Sequence, residues 1–115
     1  MNAVIYIRTS DAKFPNAIEK QMDTCNMLAE KSNYSIKKVF IDEGQSGRTL
    51  DRPALKELLE YCKENDDIKA VITANTDRLA KDEDLFISTL KPIFEEKNIS
   101  IIAENYMGFS LLHLS

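Results

Sequence analysis

The chain has 115 residues, of which 43% are hydrophobic and 30% are charged, which fits one globular domain with a single core. Its net charge of −4 argues against a domain that grips nucleic acid by bulk charge, but it allows a small, local basic site. No stretch approaches the ~20 consecutive apolar residues of a membrane span, and the N-terminus lacks the features of a signal peptide. We therefore expect a cytoplasmic protein without a membrane partner.

The first ten residues combine a buried strand with two polar side chains. The apolar run from Ala3 to Ile7 predicts a short strand that is buried on both faces. Arg8 and Ser10 follow two positions apart, so in an extended segment their side chains point the same way. A hydroxyl beside a guanidinium at a strand end suits a nucleophile that faces a phosphate. The alternative is a serine that only turns the chain, next to a solvated arginine.

Three helices and three further strands alternate along the rest of the chain. Asn16 and Asp51 are the expected N-caps of the first two helices, and Pro92 is expected to kink or interrupt the third. Apolar side chains at helical spacing place the helices at residues 17–31, 53–63 and 84–96. Short apolar runs place the strands at residues 37–42, 70–74 and 99–103.

This alternation predicts an α/β fold with a mostly parallel, four- to five-stranded sheet and helices on both faces, in flavodoxin-like layering. Ligands of such sheets bind beyond the carboxyl ends of the strands. Polar clusters follow the first three strands, and the topology brings them to one rim. They are Ser10 and the cations Arg8, Arg48, Arg52, Arg78 and Lys81. Such local positive charge in an acidic protein predicts an anionic substrate, most simply a phosphate.

Other site chemistries have less support in the sequence. Cys25 and Cys62 fall on apolar helix stripes, which favours buried free thiols over a disulfide. One histidine and two distant cysteines do not predict a zinc site, and we expect neither a metal nor a cofactor. Asp42, Glu43 and Asp77 are candidates for binding Mg²⁺, although helix capping and pairing with arginines are their expected roles.

Four short motifs occur in order along the chain. They are Tyr6-Ile7-Arg8-Thr9-Ser10, Ile18-Glu19-Lys20-Gln21, the segment from Asp42-Glu43-Gly44-Gln45-Ser46-Gly47 to Asp51-Arg52-Pro53-Ala54-Leu55, and Asp77-Arg78-Leu79-Ala80-Lys81-Asp82. Each motif alone is weak. Together, and in this order, they resemble the serine recombinases, which comprise the resolvase/invertase family and its larger integrase relatives.

This resemblance implies a resolvase-like fold and a specific reaction. The family's serine attacks a DNA phosphodiester, which gives a 5′-phosphoserine link and a free 3′-hydroxyl, and strand exchange and rejoining follow. The implied partners are DNA and further copies of the protein, in a dimer or tetramer. By position, the nucleophile is Ser10, the phosphate-binding arginines are Arg8, Arg52 and Arg78, and the supporting polar residues are Asp77 and Gln21; Lys81 and Arg48 add positive charge.

Three features depart from the family pattern. Lys81 stands where the family has arginine, which keeps the charge but loses the bidentate fork. Asp11 follows Ser10 where the family often has a small hydroxyl residue. The sequence ends at Ser115, before the long oligomerisation helix and the DNA-binding domain of the family. We therefore expect residues 1–115 to be a catalytic domain that is inactive on DNA by itself.

Two other interpretations stay open at this point. A truncated, catalytically inactive recombinase remnant, or a partner that binds a full-length recombinase, would carry the same motifs. A flavodoxin-like module that binds a small phosphorylated ligand would have the same order of elements, although the Arg-x-Ser and Asp-Arg-Pro signatures argue against it.

Overall fold

A computed structural model describes residues 1–10 and 16–106 of the chain. Asp11, with the rest of residues 11–15, and the segment 107–115 lie outside the described residues. The strands are β1 (Asn2–Thr9), β2 (Ser35–Glu43), β3 (Ile68–Ile72) and β4 (Ser100–Ile102). They form one sheet in the order β2-β1-β3-β4, and all three pairings are parallel. The predicted parallel α/β fold is confirmed.

Helices cover both faces of this sheet. The long helices are α1 (Ala17–Ser32) and α2 (Pro53–Glu64), and the short ones are α3 (Thr76–Leu79), α4 (Glu83–Leu85) and α5 (Lys91–Glu96), with a π-helical stretch, Phe86–Leu90, between α4 and α5. None of the helices among the described residues is long and apolar enough to cross a membrane. Asn16 is at the N-cap position of α1, as predicted, but its side chain makes no capping hydrogen bond.

The central strand β1 contributes to two separate hydrophobic clusters. Ile5 and Ile7 pack on the α1 side of the sheet, in a cluster that includes Cys25. Val4 and Tyr6 pack on the opposite side, in the cluster that includes the inward face of α2. Because β1 is covered on both faces, its run of apolar residues has no polar alternation, as expected for a central parallel strand.

Cys25 and Cys62 are buried free thiols, which confirms the prediction from their helical positions. Burial raises the pKa of Cys25 to about 12 and that of Cys62 to about 11. Both thiols therefore stay protonated at neutral pH and behave as small apolar core residues.

The helical segment that contains Pro92 is not a regular α-helix. The N–H of Lys91 donates to the carbonyl of Phe86, five residues earlier, which is the π-helical spacing. Pro92 supplies no N–H and follows directly after this wide turn. The predicted interruption is therefore a widened turn within residues 83–96.

The cap of α2 differs from the prediction. Asp51 does not cap this helix; the N-cap residue is Arg52, which makes no side-chain capping bond. Instead, the carboxylate of Asp42, near the end of β2, accepts hydrogen bonds from the N–H groups of Ala54 at 2.8 Å and Leu55 at 3.0 Å. The buried carboxylate replaces the local cap because it lies against the positive end of the helix dipole.

Candidate functional site

The predicted site lies at the point where the order of strands along the sheet reverses, between β1 and β3. The chain passes from β1 to β2 on one side and then crosses to β3 on the other side of β1. Segments that leave the carboxyl ends of β1 and β3 diverge at such a switch point, and doubly wound folds bind their ligands in the resulting crevice. The end of β1, the loop of residues 44–52 and α3 meet here, as the hydrogen bonds of Arg8 show.

Arg8 lies near the end of β1 and is almost fully buried, with 3% of its surface exposed. Its Nε, Nη1 and Nη2 atoms donate to the carbonyl oxygens of Arg78 at 2.9 Å, Gln45 at 3.0 Å and Asp77 at 2.8 Å. Burial, followed by repulsion from two neighbouring guanidinium groups, lowers the pKa of Arg8. Arg8 therefore joins the loop after β2 to α3 through a buried cation.

Arg52, the residue before α2, has no exposed surface. Its Nε donates to the carbonyl of Thr49 at 2.8 Å, and its Nη1 donates to the hydroxyl of Tyr6 and the carbonyl of Arg78, both at 2.9 Å. Its Nη2 donates to the carbonyl of Leu79. Four of its five N–H groups thus donate to partners among the described residues.

A buried chain of hydrogen bonds continues from Arg52 to the start of α2. The hydroxyl of Tyr6 accepts from Arg52 and donates to the carboxylate of Asp42 at 2.7 Å. Burial and this bond to Asp42 raise the pKa of Tyr6, so its hydroxyl stays protonated. Tyr6 is a residue of this group that is absent from the site predicted by the sequence. The available signal was a tyrosine in an otherwise apolar buried strand, because a buried hydroxyl needs a partner.

Gln21 extends from α1 to the end of β1. Its Nε2 donates to the carbonyl of Arg8 at 3.0 Å, and its Oε1 accepts from the N–H of Arg8 at 3.3 Å. The Nη1 of Arg78 also donates to the carbonyl of Arg8, at 3.3 Å. The pairing of β1 with β3 ends at Ile5 and Ile72, so no strand bonds to Arg8 on this side. The side chains of Gln21 and Arg78 supply the hydrogen bonds that a paired strand would otherwise make there.

Ser10 and the side chain of Arg78 belong to the open side of the site. Ser10 is exposed and directly follows β1, two residues after Arg8. The side chain of Arg78 is 34% exposed, and its Nε lies 3.8 Å from the carboxylate of Asp77, which is also exposed. Ser10 thus provides an exposed residue two positions after Arg8, and Arg78 provides a partly exposed guanidinium.

Gly47 allows the loop after β2 to lie directly on the Arg8 guanidinium. A Cβ atom on Gly47 would lie 2.6 Å from Nη2 of Arg8 and 3.0 Å from Cβ of Lys81. The carbonyl of Gly47 also accepts from the N–H of Lys81 at 2.9 Å. The side chains of Lys81 and Arg48 are exposed on these two joined segments.

The structure thus joins part of the predicted set directly. Arg8, Gln21, Arg52 and Arg78 form one hydrogen-bonded group, and Asp77 belongs to it through its carbonyl and its carboxylate. Ser10, Arg48 and Lys81 are exposed on the adjoining segments. We call Arg8, Arg52 and Arg78 the arginine cluster. Among the described residues, the contacts of these three guanidinium groups with carboxylates are that of Arg78 with Asp77 and, through Tyr6, that of Arg52 with Asp42. Three positive charges therefore meet two negative ones in this part of the chain, which suits an anion.

The acidic residues considered for Mg²⁺ have other contacts. Asp42 accepts from Tyr6 and from two backbone N–H groups of α2, which is the capping role expected for it. Among the described residues, no group of three or more histidine, cysteine, aspartate or glutamate side chains could hold a metal ion.

Comparison with known proteins identifies the family of the chain. The sequence model of the family described as "Resolvase, N terminal domain" matches residues 3–110. A comparison with curated proteins gave no match. Among solved structures, the N-terminal catalytic domain of TP901-1 integrase is 26% identical with a TM-score of 0.81, over 91% of this chain and 79% of that one.

Two further structures share the fold at lower identity. The C-terminal catalytic domain of ISC1926 TnpA, an IS607-like serine recombinase, is 22% identical with a TM-score of 0.79, over 98% of this chain and 76% of that one. A resolvase family site-specific recombinase from Streptococcus pneumoniae is 22% identical with a TM-score of 0.77, over 96% of this chain and 76% of that one. The chain belongs to the resolvase N-terminal domain family, the catalytic domain of serine recombinases.

Proposed function

We propose that this domain carries out the cleavage and rejoining chemistry of a site-specific DNA recombinase. The observation that carries the proposal is the exposed hydroxyl of Ser10, which follows Arg8 by two residues at the edge of the arginine cluster. Membership of the resolvase family supports a DNA phosphodiester as the substrate, and a dimer or tetramer as the working assembly.

In the proposed step, Oγ of Ser10 attacks the phosphorus of a DNA phosphodiester. A bond forms between Oγ and phosphorus, the bond from phosphorus to the 3′ oxygen breaks, and the serine's proton is lost as the 3′ oxygen gains one. The resulting 5′-phosphoserine keeps the energy of the phosphodiester, so a 3′-hydroxyl can reverse the reaction without a cofactor. Preorganised guanidinium groups stabilise the negative charge on the non-bridging oxygens.

The arginines divide this work by their exposure. Arg78 contacts the phosphate, because its side chain is partly exposed and reaches the end of β1. Arg8 and Arg52 add positive charge from beneath and hold the surrounding segments through three and four hydrogen bonds. Lys81 and Arg48, both exposed nearby, strengthen the attraction for DNA.

Gln21 and Asp77 are positioning residues in this scheme. Gln21 fixes the backbone of Arg8 just before the nucleophile, through a pair of hydrogen bonds. Asp77 accepts from Arg8 through its carbonyl and attracts the guanidinium of Arg78 through its carboxylate.

One observation favours a second candidate, an inactive relative that binds DNA or a recombinase without cleaving. Arg52 is fully buried and bonded to backbone carbonyls, which restricts its contact with a phosphate in this arrangement. Such a chain would bind anions at the cluster but would form no covalent bond. The third interpretation, a module for a small phosphorylated ligand, is less favoured because the family match covers residues 3–110.

An activated phosphodiester separates these candidates without knowledge of the DNA site. The probe is the 4-nitrophenyl ester of thymidine 5′-phosphate, whose leaving group departs without a proton and needs no general acid. We expect a burst of 4-nitrophenolate and a thymidine phosphate adduct on the peptide that carries Ser10, detected by mass spectrometry. Ser10→Ala removes the adduct, and Ser88→Ala, at an exposed serine of the π-helical stretch, keeps it. Phosphate binding to the chain without any adduct on Ser10 would contradict the proposal and support the inactive relative.

A further inference from the structure

We propose that the outer edge of β2 pairs with β2 of a second copy of this chain, antiparallel and centred on Phe40, so that two sheets become one. This surface is separate from the arginine cluster, and the inference does not depend on the proposed reaction. Within residues 1–10 and 16–106, β2 pairs with β1 alone and forms one edge of the sheet. An open edge of nine residues is a template for another strand unless something covers it.

Contacts of β1 show which of its backbone groups face β2. The N–H and C=O of one residue point to the same edge of a strand, and those of the next residue point to the other edge. The carbonyl of Tyr6 accepts from the hydroxyl of Thr73 at 2.9 Å, and both backbone groups of Arg8 bond to Gln21. The backbone groups of Tyr6 and Arg8 therefore point to the β3 side of β1, and those of Ile5, Ile7 and Thr9 point to β2. The carbonyl of Thr9 agrees, because it accepts from the loop after β2.

The register between the two strands then shows which groups of β2 are unused. Ile5 and Ile7 face β2, and they lie opposite Val39 and Ile41. In a parallel pair, the N–H and C=O of one residue bond to the two residues that flank its opposite residue on the other strand. The N–H and C=O of the opposite residue itself point to the far edge of that strand. The N–H and C=O groups of Val39 and Ile41 therefore point outward from the sheet, where a second strand can bond to them.

Side chains on the α1 side of β2 are complementary to themselves in this register. A two-fold axis at Phe40 places Val39 opposite Ile41 of the second copy, and Lys37 opposite Glu43. Ile41 is a large apolar residue with 41% of its surface exposed, and Val39 is half-buried. Each pair occurs twice about the axis, so two apolar contacts are flanked by two opposite-charge contacts.

Neighbouring registers lack this match. A two-fold axis at Ile41 would place Val39 opposite Glu43, and an axis at Val39 would place Lys37 opposite Ile41. Both alternatives set an apolar side chain against a charge. The irregularity of the β1–β2 register lies between Ile36 and Lys38, so it limits regular pairing to Lys37 and the residues that follow it. The occupant that fits this edge is therefore a second copy of the same strand.

Sedimentation equilibrium of the 115-residue chain tests the proposal. We expect a monomer–dimer equilibrium that Ile41→Pro weakens by at least about tenfold, because proline removes an outward N–H that β1 does not use. Ile87→Ser, at another exposed apolar residue, leaves the dissociation constant unchanged. Circular dichroism shows whether the proline variant is folded. A chain that stays monomeric at millimolar concentration, or a dimer that Ile41→Pro does not weaken, overturns the proposal.

Charge reversal tests the register without altering the backbone. Lys37→Glu and Glu43→Lys each weaken the dimer by roughly tenfold, since two attractive pairs become repulsive, and the double variant recovers the affinity. Amide hydrogen exchange gives a second measurement: dimer formation protects the N–H groups of Val39 and Ile41, whereas that of Phe40 is protected at every concentration. Failure of the double variant to recover, or equal protection of all three amides in the monomer, excludes this register.

Discussion

The arginine cluster contains two kinds of arginine. Arg8 and Arg52 are buried, and most of their N–H groups donate to backbone carbonyls of neighbouring segments. Arg78 is partly exposed, and its guanidinium makes one backbone bond and one longer ion-pair contact. The two buried arginines thus hold the segments of the site together, whereas Arg78 is partly open to solvent. An arginine at a strand end is therefore not by itself evidence of contact with a ligand.

Burial of these cations carries a cost that constrains the fold. A buried charge is tolerated when hydrogen bonds replace the lost water, and carbonyl dipoles provide them here. The carbonyl of Arg78 accepts from both Arg8 and Arg52, so the position of the exposed arginine is fixed by the two buried ones. Variants that separate stability from reactivity should therefore distinguish the two kinds of arginine.

The largest effect is expected for Arg52→Ala. Removal of this side chain leaves the carbonyls of Thr49 and Leu79 without their guanidinium partner and removes a donor to Tyr6. We expect the free energy of unfolding to fall by ~3–5 kcal/mol, measured by urea denaturation. The control Arg48→Ala removes an exposed arginine from the same loop, and we expect a change within ~0.5 kcal/mol. Equal losses in the two variants would show that the buried bonds of Arg52 contribute nothing to stability.

A smaller loss of stability is expected for Asp42→Ala. The carboxylate bonds to Tyr6 and to two N–H groups at the start of α2, so its removal should cost ~2–3 kcal/mol in urea denaturation. Asp51→Ala is the matched control, because Asp51 is exposed and pairs with Lys56 at the surface. Such a surface pair contributes ~0–1 kcal/mol. A larger loss in the Asp51 variant would restore the cap that we predicted from the sequence.

Gly47→Ala tests the link between the buried arginine and the loop above it. The new Cβ would lie 2.6 Å from Nη2 of Arg8, which cannot move without loss of its carbonyl bonds. We expect a loss of ~1–3 kcal/mol in unfolding free energy and slower formation of the Ser10 adduct. Gly44→Ala is the control: Gly44 has a φ of +66° and nothing within 4 Å of an added Cβ. It should cost ~1 kcal/mol through backbone strain alone. An unchanged adduct rate in the Gly47 variant would separate Arg8 from the reaction.

The smallest effect is expected for Lys81→Arg. The side chain of Lys81 is exposed, so stability should change by less than ~0.5 kcal/mol. Arginine adds the bidentate fork that the resemblance in sequence leads us to expect at this position, so the rate of adduct formation should be equal or higher. Kinetics of 4-nitrophenolate release measure this rate, and a clear loss in the variant would count against our alignment of this motif.

The fold was predictable because its signals are local. The apolar run of Ala3 to Ile7 and the helical spacing around Cys25 depend only on neighbours in sequence, and both elements are present in the structure. The complete burial of Arg52 was not predictable from the sequence. Its guanidinium donates to the carbonyls of Arg78 and Leu79, which lie 26 and 27 residues away in the chain. A sequence pattern places such a residue at the rim but does not show how many of its donors are already used.

The cap of α2 shows the same limit. Asp51 fits the local rule for an N-cap, yet Asp42 of strand β2 fills the role. It lies 12 and 13 residues before Ala54 and Leu55, whose N–H groups it accepts from. Tyr6 belongs to the same buried group and its partner Asp42 lies 36 residues away. Polar groups that bond across the fold are those that a pattern of spacing does not reveal.

The most direct test of the central claim compares two properties of one variant, Arg78→Gln. Its guanidinium is partly exposed, so we predict a change in unfolding free energy of less than ~1 kcal/mol. We also predict that formation of the thymidine phosphate adduct on Ser10 slows by at least about tenfold, because a charge that stabilises the transition state is lost. A folded Arg78→Gln chain that forms the Ser10 adduct at the wild-type rate would contradict the claim that this arginine faces the reacting phosphate.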